Sequence, residues 1–215
     1  MSRSSIDRPP RRRPSVWIVA ALCLVSCGMP EPAADEPAAP PPAAPPASST
    51  GGPAVPPSGA RTPPLTEEGW GPIRIGMTRA EVVAAAGEDA NPDAVGGPEP
   101  EVCDEFRPVR APEGLRLMIE RDRLTRITLS AGAEITTERG FGVGDPAAPI
   151  KEAYGADAVV SPHKYSPAPA EYITVWRTAP GGPDARGLVY EIGPDGRVVH
   201  IHAGGPSIQY VEGCL

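Results

Sequence analysis

Residues 76–87 read GMTRAEVVAAAG and residues 144–155 read GDPAAPIKEAYG, so two twelve-residue blocks each begin and end with glycine. Each block follows an apolar-x-apolar-Gly stretch, at residues 73–76 and 141–144, which we predict to be an entry strand. These stretches start 68 residues apart. Matched segments at a fixed spacing are typical of internal repeats. The blocks therefore predict a doubled structural unit.

Both blocks predict short helices because their ends carry capping residues. Thr78 and Glu81 form an S/T-x-x-E capping box, in which each side chain binds the backbone N–H of the other residue. In the second block Asp145 is the predicted N-cap, and Pro146 takes the first helical position, where its missing N–H costs nothing. The glycine that closes each block provides the stop signal.

Runs of β-branched and apolar residues follow each helix and predict an antiparallel meander of about three strands. The predicted fold is therefore α+β, with two tandem units at residues 65–136 and 137–215, each a short helix followed by a meander. The predicted strands are residues 102–106, 115–120, 124–129, 172–176, 188–192 and 198–202.

Alternation along the last strand of each unit predicts which side chains share a face, because successive side chains of a strand point to opposite sides. We expect each helix to cover one face of its sheet and to leave the other, more polar face open as a binding surface. The face under the helices would carry Thr125, Ile127, Leu129, Val199, Ile201 and Ala203. The open face would carry Leu124, Arg126, Thr128, Val198, His200 and His202, and we include Arg197 in the predicted binding surface.

The N-terminus predicts a secretory signal peptide at residues 1–26. A basic segment with five arginines precedes a short apolar stretch at residues 15–26, which is too short to span a bilayer as a helix. The stretch ends in Leu24-Val25-Ser26-Cys27, which resembles the lipobox of bacterial lipoproteins. In that class Cys27 is lipidated and becomes the first residue of the mature chain. A plain signal peptide or an uncleaved anchor is the alternative.

The lipobox resemblance also implies a location. Several acyl chains on one cysteine give stable membrane anchoring, whereas a single chain is marginal. Gly28 follows the cysteine in place of aspartate, which in Gram-negative lipoproteins favours the outer membrane. We therefore expect a cell-envelope location, with the folded part facing the periplasm.

Residues 27–64 predict a disordered tether. Residues 28–64 contain 13 prolines, 9 alanines and no aromatic residue, so they cannot bury enough apolar area to offset chain entropy. Runs such as residues 40–42 favour an extended polyproline spacer. The alternative is that this segment is a proline-rich ligand that a partner domain recognises.

The overall charge excludes one class of partner. The 215 residues carry 20 Lys and Arg against 27 Asp and Glu, a formal net charge of −7. Non-specific nucleic-acid binders need a basic surface that displaces phosphate counterions. We therefore predict no nucleic-acid partner and expect another envelope protein instead.

Two cysteines remain once Cys23 leaves with the signal peptide and Cys27 takes lipid. In an oxidising compartment we expect Cys103 and Cys214 to form a disulfide bond. Two separate thiols, or an intermolecular bond through Cys214, are the alternatives.

The sequence contains no recognised catalytic motif, so we predict a non-enzymatic protein without a cofactor. The strand pattern places His200 and His202 on one face, and His163 could approach from a loop. Three imidazoles could form a metal site, but we favour a weak surface pair over a metal site, because no carboxylate or cysteine is spaced to complete it.

Residues 73–82, IRIGMTRAEV, resemble the opening of the SmpA/OmlA (BamE-like) domain of outer-membrane lipoproteins. The matching residues are Gly76, Met77, Thr78, Glu81, Val82 and Gly87, with a weaker echo at Gly144 and Gly155. The resemblance implies a helical segment packed on a three-stranded sheet, and a tandem copy resembles the beta-lactamase-inhibitory-protein type. The doubled unit and the long tether depart from single-domain assembly lipoproteins.

These observations predict a lipid-anchored envelope lipoprotein with a non-enzymatic, protein-binding or inhibitor-like module. One alternative is a small periplasmic enzyme or metal-binding protein that uses His163, His200 and His202. Another is a structural factor in outer-membrane assembly.

Overall fold

Strands form most of the fold. The computed structural model describes residues 62–214, so the predicted signal peptide, Cys27 and most of the predicted tether lie outside the described residues. No helix within this range has the length and apolar content that crossing a membrane requires. The elements are β1 (Gly69–Trp70), β2 (Ile73–Arg74), α1 (Arg79–Ala86), β3 (Cys103–Phe106), β4 (Leu115–Glu120), β5 (Arg123–Leu129), α2 (Ala147–Tyr154), β6 (Ala158–Pro162), β7 (Glu171–Thr178), β8 (Arg186–Ile192) and β9 (Val198–Gly204).

Seven of the strands form one antiparallel sheet in the order β3-β4-β5-β9-β8-β7-β6. The predicted α+β class with a mostly antiparallel sheet and few helices is confirmed. Strands from both predicted units belong to this sheet, and β5 pairs with β9 through Ile127 opposite Ala203 and Thr128 opposite His202. The core therefore continues across the junction between the two sets of strands.

The helix starts were predicted correctly for α1 and one residue early for α2. In α1 the Thr78 hydroxyl accepts from the Glu81 N–H at 3.2 Å, and the Glu81 carboxylate accepts from the Thr78 N–H at 2.8 Å. In α2 the N-cap is Pro146 rather than Asp145, and no side chain caps the helix. The Asp145 carboxylate instead accepts the Gly142 N–H at 2.7 Å, so it is not available for capping.

Two strand predictions were wrong. Residues 141–144 form a loop rather than an entry strand, in which the Gly144 N–H donates to the Val198 carbonyl at 2.8 Å. Strand β6 was missed because it is short and ends in proline, and prolines and serines follow it. The second set of strands therefore has four members, and β6 lies at the edge of the sheet.

β-Bulges overturn part of the predicted face assignment. Thr125 of β5 has no partner residue on β4, because the adjacent residues Met118 and Ile119 pair with Arg126 and Leu124. One extra residue reverses the alternation beyond it. Leu124 is therefore buried in the core with Ile127 and not exposed on the polar face.

The second meander carries the same irregularity. Glu191 pairs with His200 and Ile192 pairs with Val198, which leaves Val199 as the extra residue. Val198 is consequently buried in the core, whereas it was predicted to lie beside the histidines. Both helices cover this core face, through Val82 of α1 and Ile150 of α2 among others.

The opposite face was predicted to be open, but residues 205–214, here called the C-terminal segment, cover part of it. The segment follows Gly204, where φ is +141° and an added Cβ would lie 2.4 Å from the Thr125 carbonyl oxygen. Its 3₁₀ turn, Pro206–Gln209, contacts β5, β8 and β9. A disulfide bond between Cys103 and Cys214, with Cα atoms 5.4 Å apart, holds its end to β3, as predicted.

Replacing Ile127 by alanine should lower the free energy of unfolding by about 2–5 kcal/mol. Ile127 is fully buried at the pairing of β5 with β9, so its loss leaves a cavity where the two sets of strands meet. Urea unfolding followed by circular dichroism measures the change. Val159→Ala is the control, because Val159 is 59 % exposed and should cost less than about 0.5 kcal/mol. Equal losses in the two variants would contradict this view of the core.

Candidate functional site

The face of the sheet away from the helices carries a cluster of three histidines and one glutamate. Glu191 of β8 lies directly opposite His200 of β9 in the register. The Glu191 Oε2 lies 3.0 Å from His200 Nδ1 and 3.6 Å from His202 Nε2. His200 and His202 alternate along β9 and Glu191 lies opposite His200, so the three side chains project on the same side of the sheet.

His163 joins the cluster from the loop that follows β6. Its Nε2 lies 3.1 Å from Glu191 Oε1, and its ring stacks on Tyr172 with centroids 4.8 Å apart. The His163 Nδ1 accepts backbone N–H groups from Tyr165 and Ser166 at 3.1 and 3.2 Å. The Nε2 of this ring therefore carries the hydrogen and donates a hydrogen bond to the Glu191 carboxylate.

The structure places the three histidines considered from the sequence around one carboxylate, Glu191, which the sequence analysis missed. The signal lay in the hairpin around residues 193–196. Counting outward from that turn places Glu191 close to His200 on the neighbouring strand. A strand glutamate among apolar residues could have been recognised as the carboxylate partner of the histidine pair.

His202 is the most deeply buried histidine. Only 8 % of its surface is exposed, and its Nδ1 lies 3.0 Å from the Thr128 hydroxyl on the adjacent strand. Burial lowers the pKa of His202 to about 4, and nearby Arg126 and His200 act in the same direction. The Glu191 carboxylate opposes this effect. His202 is consequently neutral at pH 7.

The Glu191 carboxyl is ionised. Partial burial alone raises its pKa, but the adjacent imidazoles of His200, His202 and His163 outweigh burial and bring the pKa well below its usual range. The cluster therefore combines a carboxylate with a neutral buried imidazole.

Arg126 does not lie on an open surface, contrary to the prediction. It is 3 % exposed, and its guanidinium donates to the carbonyls of Ser207 and Tyr210 at 3.2 and 2.9 Å. Burial lowers the pKa of this guanidinium. Arg126 thus holds the C-terminal segment against the sheet, which is why this face is partly covered.

Arg197 lies apart from the cluster. It is exposed in the turn between β8 and β9, and its guanidinium donates to the Gly144 carbonyl at 2.9 Å, close to the start of α2. Of the four residues predicted to form the binding surface, only His200 and His202 come together, and His202 is buried.

A pocket of about 260 Å³ opens beside the cluster. Its floor is formed by the polar side of β7, β8 and β9, and its walls by the end of β6 and the C-terminal segment. The lining residues include Tyr172, Thr174, Glu191, His202, Ile208 and Tyr210. The cluster therefore reaches solvent through this pocket.

Comparisons with known proteins identify no relative. No protein family, curated protein or solved structure matches the chain.

Acidification should destabilise the fold through His202. Its pKa is about 4 in the folded protein against an ordinary value of 6.5, so the unfolded chain binds a proton more readily between these values. The contribution is complete above pH 6.5 and is lost as the pH falls towards 4, an effect on the order of a few kcal/mol. Urea unfolding with a chelator present, at several pH values from 6.5 to 4.5, measures it.

His202→Gln should flatten this pH dependence, and Glu171→Gln serves as the control. Glu171 pairs with Lys151 at 2.7 Å and lies outside the cluster. The lowered pKa of Glu191 affects stability mainly below its ordinary value of 4.5, so over most of this range the pH dependence comes from His202. An equal pH dependence in wild type and His202→Gln would show that His202 is not responsible.

Proposed function

We propose that the chain is a lipid-anchored lipoprotein of the cell envelope, directed to the outer membrane with its folded part facing the periplasm. The disulfide bond between Cys103 and Cys214 carries this proposal, because stable disulfides form in oxidising compartments and are rare in the cytosol. The basic and apolar N-terminus supports export as a signal peptide, and the lipobox-like residues 24–27 support lipid attachment at Cys27.

We further propose that the folded part is a tandem pair of SmpA/OmlA-like units, related to the beta-lactamase-inhibitory-protein arrangement. The strand order supports this, since β3-β4-β5 and β9-β8-β7 mirror each other about the β5–β9 pair. The extra residues Thr125 and Val199 support it as well, because they occupy corresponding places in the two hairpins. The capping box at Thr78 and Glu81 fits the motif that carries the resemblance.

The burial of the Thr128 hydroxyl favours a binding role for the cluster over a catalytic one. His202 lies between the Thr128 hydroxyl and the Glu191 carboxylate, an order resembling that of a nucleophile, a base and an orienting acid. Thr128 is only 4 % exposed and does not line the pocket, so its hydroxyl does not meet a substrate there. We therefore infer a non-enzymatic role with another envelope protein as partner.

The surface around the pocket suits such a partner. Tyr210 and Val211 line the pocket and are 47 % and 41 % exposed. Val159 of the edge strand β6 is more exposed still and pairs with Thr174 of the pocket floor. Exposed apolar side chains rimmed by polar groups are typical of protein interaction sites.

Cys27→Ala should abolish incorporation of labelled palmitate and move the protein out of the membrane fraction. The reason is that Cys27 is the proposed site of lipid attachment. Labelling of the full chain in a bacterial host, followed by fractionation, tests this. Cys23→Ala is the matched control and should keep both label and location. Retention of the label by Cys27→Ala would contradict the proposed anchor.

A photo-cross-linking amino acid at Val159 should capture an envelope protein in intact cells. The same substitution at Val109 is the control, since Val109 is 57 % exposed but lies in the loop between β3 and β4. Mass spectrometry of the adducts identifies the partner. A distinct adduct at Val159 supports the proposed surface, whereas identical adducts or none at both positions count against it.

A further inference from the structure

Three potential metal ligands lie together beside the pocket, and two of them, Glu191 and His202, line it. Glu191, His200 and His202 each offer one ligand atom, and these atoms all lie within 4.8 Å of one another. The two measured separations from Glu191 Oε2 are 3.0 Å to His200 Nδ1 and 3.6 Å to His202 Nε2. In a tetrahedral zinc site with bonds near 2.0–2.1 Å, neighbouring ligand atoms lie about 3.3 Å apart. The observed separations lie on either side of this value.

We propose that Glu191, His200 and His202 bind a divalent transition-metal ion, with zinc as the best match. Two imidazoles and one carboxylate suit zinc and related ions. The cysteines of the described residues are joined in a disulfide, so the site uses no thiolate from them. This proposal does not depend on lipid anchoring or on a protein partner.

The neighbouring side chains hold the ligands as a metal site requires. A histidine ligand usually donates its second ring N–H to an acceptor, which fixes the tautomer. The Thr128 hydroxyl lies 3.0 Å from His202 Nδ1 and can accept such a hydrogen bond, which leaves the lone pair of Nε2 for the ion. His163 donates to Glu191 Oε1, so Oε2 is the oxygen that faces His200 and His202.

His163 is therefore a positioning residue and not a ligand, which revises the three-histidine site considered from the sequence. Its Nδ1 is occupied by two backbone N–H groups and its Nε2 proton by Glu191. Stacking on Tyr172 keeps the ring in this orientation. Both ring nitrogens are thus already used.

The pocket provides an entry path and room for a fourth ligand. Glu191 and His202 both line it, and its volume of about 260 Å³ exceeds the roughly 30 Å³ that one water occupies in the liquid. Three protein ligands leave one position of a tetrahedral zinc ion for a water or another small ligand.

Titration of Zn²⁺ into the chelator-treated full chain, purified in detergent and monitored by a competing chromophoric chelator, tests the proposal. We expect one ion per chain. Glu191→Gln and His202→Gln should each weaken binding by more than about 100-fold, and His163→Gln by about 10–100-fold. Glu171→Gln, whose carboxylate pairs with Lys151 outside the cluster, should bind as wild type does. Absence of saturable binding, or equal affinity in all variants, would overturn the site.

X-ray absorption of the wild-type zinc complex gives a result that does not depend on variants folding. The expected first shell contains nitrogen and oxygen only, with the multiple scattering of two imidazoles. A shell without imidazole, or with sulfur, would overturn the proposal. Neither result bears on lipidation at Cys27, so the two proposals fail separately.

Discussion

The antiparallel pairing of β5 with β9 is the interaction on which the rest of the molecule depends. It hydrogen-bonds strands from the two predicted units into one seven-stranded sheet. The pairing buries Ile127 against the core and puts Thr128 directly opposite His202 on the other side. One register thus fixes both the packing at the centre of the fold and the hydrogen bond that orients the most buried histidine.

Two single-residue bulges then decide which chemistry each face carries. Without the extra residue Val199, the alternation of β9 could not bury Val198 in the core and also set His200 beside Glu191. The bulge at Thr125 does the same in β5, where Leu124 is buried in the core while Arg126 points to the other face. β-Bulges commonly re-aim side chains next to functional sites.

The sequence predicted the local elements well because their signals are local. Thr78 with Glu81, and the alternating runs of the two hairpins, correctly gave α1 and the α+β class. The bulges were not predicted because hairpin register is not visible in the alternation of one strand, and β6 was missed because it is short and ends in proline. The cover over the polar face was not predicted because it depends on contacts between distant segments. Arg126 shows the difference: its position in β5 is predictable, but its burial results from carbonyls more than 80 residues later.

Cross-strand register and one distant segment explain why the candidate site was only half predicted. Spacing along β9 reveals His200 and His202, whereas Glu191 becomes their partner only through cross-strand register, and the pocket wall comes from residues near the C-terminus. That wall is held at both ends, by Arg126 at Ser207 and Tyr210 and by the disulfide at Cys214. Because Ile208 and Tyr210 lie between these attachments, the disulfide that points to an oxidising compartment also limits how far the wall of the site can move.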